Sequence, residues 1–193
     1  MRGYLSSKIA WVCPGAAVLV TAVVMLLLAP AAAKAEAASS SYVYFGQYDT
    51  YAALSATQKD GVTISELSGG AGEVRLDSVP YTGSDGSGFY NGGSYYWGRM
   101  TSPAYAIAPP FDTLVPSWEA VTPDGTWMEL EVRVRSSEGG WSPWFEMGVW
   151  TSETGSVRRH SVNGQQSGPW EVLTDTLQSK GPVFADAYQY RLT

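Results

Sequence analysis

Glu129 and Glu131 come nearest to a catalytic pair in this sequence of 193 residues. In the run TWMELEVRVR they stand two apart on a strand-like alternation, so both carboxyls lie on one face with backbone positions about 6.5–7 Å apart. Carboxylates roughly 5–9.5 Å apart can flank and hydrolyse a glycosidic bond. Arg133 and Arg135 continue the same face, however, and alternating charge is the ordinary solvent side of a half-buried strand. His160, Ser161 and Asp175 supply the residue types of a serine hydrolase. Adjacent residues on a strand point to opposite faces, though, and no strained Gly-x-Ser-x-Gly elbow presents a nucleophile. One histidine without a His-x-x-x-His partner builds no zinc centre. Asp85 and Asn91 lie in a Gly-rich loop, where such residues make turns more readily than calcium sites. The expectation is no catalytic residue, no metal and no cofactor.

The elements that would position these groups are strands. YYWGRMTS, LVPSWEAV, WMELEVRVR, WFEMGVW, VLTDTL and AYQYRL read as β, punctuated by PPFD, TPDG, SSEGG, VNGQQSGP and SKGP. Such short strands between turn signals predict an antiparallel β-sandwich, jelly-roll-like, over residues 38–193. One helical turn is expected near Tyr51–Thr57. In the firmest strand Met128, Leu130, Val132 and Val134 form the core side. Burying each contributes roughly 1.5–3 kcal/mol, which fixes the register.

That register raises a question about tryptophan. Trp127 falls on the polar side of its strand, and Trp144 and Trp150 fall on the polar side of the next, where Phe145, Met147 and Val149 face inward. Exposed rings could stack on a sugar or on a partner's surface; alternatively the second sheet, or the loop from Thr82 to Ser94, covers them. Trp127, Trp144 and Trp150 are therefore the candidate binding residues.

Residues 1–37 read as a leader. Arg2 and Lys8 precede an apolar run from Ile9 to Ala29, broken by Pro14 and Gly15, and Ala33, Ala35 and Ala37 offer small-x-small cleavage sites. The product is expected to be secreted, with membrane attachment only if the leader stays uncleaved. Cys13 is the sole cysteine and lies in this leader, so a cleaved product would hold no thiol nucleophile and no disulfide. Residues 38–193 hold 9 of the 12 basic and 17 of the 18 acidic residues, a formal charge of −8. That balance excludes nucleic acid, whose phosphates require a basic footprint.

The run SWEAVTPDGTWMELEVRVR, the GVW of Gly148–Trp150, then VRRHSVNGQ, TDTL and YQYRL resemble the N-terminal β-sandwich region of secreted bacterial multidomain proteins, common in actinobacteria and similar Gram-positive lineages. Their C-terminal half is similar to the papain-like cysteine peptidases that cut double-glycine leaders. The resemblance is close over Tyr95–Thr193 and looser over Tyr42–Ser94. It implies a non-catalytic accessory domain whose partner is a downstream peptidase-like domain. In that family the catalytic cysteine and histidine lie beyond the sandwich, so neither Cys13 nor His160 matches them. The alternative is a stand-alone carbohydrate-binding module, with a cell-surface glycan bound by the three tryptophans.

Overall fold

The computed structural model describes residues 40–86, 92–153, 155 and 157–193, together with the backbone of Leu5–Gly15. The chain is all-β and antiparallel, as expected. Its main strands are β1 (Ser40–Gln47), β2 (Arg99–Thr101), β3 (Tyr105–Phe111), β4 (Thr113–Ala120), β5 (Met128–Ser136), β6 (Phe145–Trp150), β7 (Leu177–Ser179) and β8 (Ala185–Leu192). One sheet runs His160–Ser161, β6, β5, β8, β2, Gln58–Asp60, with β3 also pairing with β8. The other runs Gln166–Ser167, Trp170–Val172, β7, β4, Leu5–Gly15, β1. Two hairpins, Val62–Glu66 with Gly72–Leu76 and Tyr81–Ser84 with Ser94–Trp97, stand apart from these sheets.

Both sheets feed one core. Leu130, Val132, Val134, Phe145 and Met147 from the first meet Leu114, Trp170, Val172 and Leu177 from the second. The alternation in β5 is realised as expected, with Val132 and Val134 both 0% exposed. A tyrosine cluster closes one part of the core. Tyr48 stacks on Tyr105 at 4.3 Å between ring centroids, and its hydroxyl bonds to that of Tyr188. Burial, and then the neighbouring Tyr48, push the Tyr105 phenol up to about 12. Burial and the hydrogen bond to Tyr48 raise Tyr188 as well.

The short helix α1 (Tyr51–Ser55) lies where a helical turn was expected, and Thr50 caps it by accepting from the Ala53 N–H at 3.2 Å. Two segments differ from the sequence reading. VLTDTL is not one strand but the crossing of a hairpin, because Leu173 and Thr176 exchange both backbone hydrogen bonds. Thr174 and Asp175 between them take φ of 45° and 65°, the left-handed pair that a two-residue hairpin of this twist demands. PPF, read as punctuation, lies inside β3. Proline is tolerated there because, among the described residues, β3 pairs with β8 alone, and its register with β8 shifts between Ala185 and Ala187.

The leader expected over residues 1–37 falls outside the described residues except for the backbone of Leu5–Gly15, which pairs between β4 and β1. Among the described residues, no helix is long and apolar enough to cross a membrane.

Candidate functional site

The outer face of β5 carries a set of charged and aromatic side chains in mutual contact, and a local turn builds it. After β5 the chain reverses through Gly139 and Gly140, with φ of 99° and 96°, values that glycine adopts without a Cβ penalty. The Ser142 N–H then donates to the Val134 carbonyl at 2.8 Å. The Ser142 hydroxyl accepts from the Val134 N–H at 3.1 Å. These two bonds lay Trp141 and Trp144 of the WSPW segment back along the outer face of β5.

The rings meet arginines there. The Arg133 guanidinium carbon lies 4.8 Å from the Trp141 ring centroid and 4.6 Å from that of Trp144, and Arg191 of β8 lies 4.5 Å from Trp144. The order Trp141, Arg133, Trp144, Arg191 is a ladder of cation–π contacts, each of which contributes about 0.5–2 kcal/mol depending on exposure. Register explains the pairing, because Arg133 stands opposite Gln189 and Glu131 opposite Arg191 across β5 and β8. Glu131 accepts from Arg191 through both oxygens and has Arg99 at 3.8 Å. Arg133 donates from Nε at 2.9 Å and from Nη2 at 2.5 Å to the one amide oxygen of Gln189. Burial, and then the nearby Arg191 cation, hold Arg133 below the usual guanidinium range.

The three tryptophans singled out from the sequence occupy three different settings. Trp144 is on the outer face, within the ladder. Trp127 meets Tyr95 edge-on at 5.0 Å, so the residue just after the loop from Thr82 to Ser94 covers it. Trp150 departs from the outward assignment: it packs against the core, and its indole N–H donates to the Ala120 carbonyl at 3.0 Å. Arg159 lies 5.3 Å from its ring. The reason is a bulge. Glu131 pairs with Glu146 and Leu130 with Gly148, which leaves Met147 as an extra residue. The bulge changes the parity, so Trp150 stands opposite Met128, a core residue. The sequence signal for this was Gly148, a glycine within a strand run, here at φ 152°.

Residues 44–193 match the family model described as the peptidase C39 N-terminal domain. The chain belongs to that family. No curated protein and no solved structure matches it. The match spans strands of both sheets, and within it the peptidase C39 N-terminal domain holds one histidine and no cysteine, since Cys13 lies before it.

Glu131, expected on a solvated face, is only 8% exposed and is engaged by two guanidiniums. Both of its oxygens are taken by Arg191, so neither is presented to an incoming substrate as a catalytic carboxyl must be. His160 and Ser161 do point apart. The Ser161 hydroxyl donates to Asp175 at 2.9 Å, whereas His160 faces Glu146 at 3.7 Å and the Arg158 carbonyl at 3.1 Å. Serine therefore meets aspartate directly, without the intervening imidazole that would take its proton. Asp85 bonds the Gly92 N–H at 3.0 Å, a turn contact; Asn91 lies outside the described residues. Among the described residues, no group of three or more His, Cys, Asp or Glu could hold a metal ion.

Sequence reasoning did not single out Trp141, Arg133 and Arg191 as a unit. The available signal was WSPW, two indoles three residues apart, placed after a strand whose polar side carries two arginines.

Proposed function

We propose that this peptidase C39 N-terminal domain is the non-catalytic accessory β-sandwich of a secreted, cysteine-peptidase-like protein, where it positions a downstream peptidase domain or engages a surface. One observation carries the reading: the family match takes in strands of both sheets, yet the matched span has no cysteine and its single histidine is turned toward Glu146. A domain of this composition supports thiol chemistry only from outside itself.

The reading frame after the Thr193 codon tests this. A frame encoding a cysteine and a later histidine is the expected result, and an immediate stop codon overturns it. Secretion rests on the basic, apolar and small-residue order of residues 1–37. N-terminal sequencing of material from culture medium should find a start after Ala33, Ala35 or Ala37. Recovery solely as full-length chain in membranes would contradict secretion. The glycan-binding alternative needs free ring faces, and the rings of Trp127, Trp144 and Trp150 each meet a side chain of the chain itself, Tyr95, the Arg133 and Arg191 pair, and Arg159 in turn, which favours the accessory reading.

A further inference from the structure

We propose that Arg133 is a docking point for a carboxylate, supplied by an acidic segment of a partner protein. The observation is an imbalance of charge around a clamped cation. Four guanidiniums, those of Arg99, Arg133, Arg135 and Arg191, share the outer face of β5, β8 and β2. Glu131 serves Arg191 and Arg99, and Asp186 serves Arg135 at 2.7 Å. Among the described residues, the hydrogen-bond acceptor on Arg133 is the neutral amide oxygen of Gln189, and no carboxylate pairs with it. The other acids of β5 and β6 on this face are directed elsewhere. Glu146 faces His160 at 3.7 Å, and Glu129 stands four residues back along β5, roughly 13 Å at strand rise.

The clamp makes the site ready to bind. A guanidinium offers five N–H groups; Gln189 takes two of them, and two indoles fix the plane of the group. A carboxylate arriving at the remaining edge forms charge-assisted bonds and orders no further side chain, so little conformational entropy is lost. It also offsets the repulsion between Arg133 and Arg191, which comes second to burial in lowering the proton affinity of Arg133.

Peptide is favoured over glycan by the rings themselves. A sugar needs an open ring face, and Trp144 already carries two guanidiniums while Trp141 carries Arg133. A carboxylate needs only the edge of the cation. The chain as a whole is formally −6, so an acidic segment is repelled over most of its surface, which confers specificity on this spot. The proposal goes beyond the accessory role and holds whether or not a peptidase domain follows.

The test is fluorescence anisotropy of a labelled hexaglutamate peptide with the full chain at low salt. Wild type should bind it and should not bind hexaglutamine. Gln189→Glu places a carboxylate of the chain itself on Arg133, so it should weaken binding roughly tenfold or more; it also removes the Gln189 Nε2 donation to the Ser102 carbonyl at 2.8 Å, so circular dichroism accompanies the titration to show that the variant is folded. Arg133→Gln should weaken binding similarly, and Arg158→Gln, an exposed arginine elsewhere, should leave it unchanged. Absence of hexaglutamate binding by wild type overturns the proposal. So does undiminished binding by Gln189→Glu, or an equal loss in Arg158→Gln. Tighter binding of an oligogalacturonate of equal charge overturns the assignment to a protein partner.

Discussion

Trp150→Ala removes a ring that the sequence placed outside and the structure places against the core. The indole packs on the hydrophobic cluster, donates to the Ala120 carbonyl at 3.0 Å and stands opposite Met128. Truncating a buried tryptophan to alanine costs about 3–5 kcal/mol. Because Trp150 is partly exposed, the low end, about 3 kcal/mol, applies. In a chain of this length each kcal/mol lowers the melting temperature by about 2–4 °C, so the expected fall is roughly 6–12 °C. Trp150→Phe should lose less, about 1–3 kcal/mol, since it keeps most of the packing but leaves the Ala120 carbonyl without its donor. Thermal denaturation followed by circular dichroism reads both. A melting temperature unchanged in Trp150→Ala, together with loss of retention on a glycan column, would refute the bulge argument and restore an exposed binding platform.

Val132→Asp should unfold most of the population in a urea titration, because it buries a charge without a partner at a 0% exposed site, a cost of several kcal/mol against a total of about 5–15. Arg191→Met should cost about 3–5 kcal/mol by leaving Glu131 buried and largely unpaired. Adding Glu131→Met should recover most of it, and a double-mutant cycle checks this. Alkaline titration should show a late tyrosine. With Tyr105 pushed up to about 12 from about 10 in the unfolded chain, the unfolded state releases its proton first. Stability is then complete below pH 10 and falls as pH rises towards 12, which tyrosinate absorbance and melting temperature read together.

Legibility followed the length of the repeating pattern. β5 was readable because four aliphatic residues alternate without interruption from Met128 to Val134, and any slip would expose all of them. β6 was readable only up to Met147. One extra residue there reverses every side chain after it, and a period-2 reading carried past it puts Trp150 on the wrong face. The hairpin hidden in VLTDTL was missed for a related reason. Asp175 suits positive φ, but the β-branched Thr174 before it does not, and no glycine marks the turn, so the break between Val172 and Leu177 is poorly signalled.

The presence of tryptophan on a charged face resolves into two separate causes. At Trp150 the face is not charged, because the bulge turned it inward. At Trp144 the charge is the reason for the ring, since a guanidinium over an indole keeps both its cation–π attraction and its in-plane hydrogen bonds. Lysine at 133 or 191 could not replace arginine on equal terms. An ammonium lacks the flat faces that two rings can enclose, and it cannot offer Glu131 the paired donors that Arg191 does. The outer face of β5 therefore depends on arginine for its shape as well as its charge.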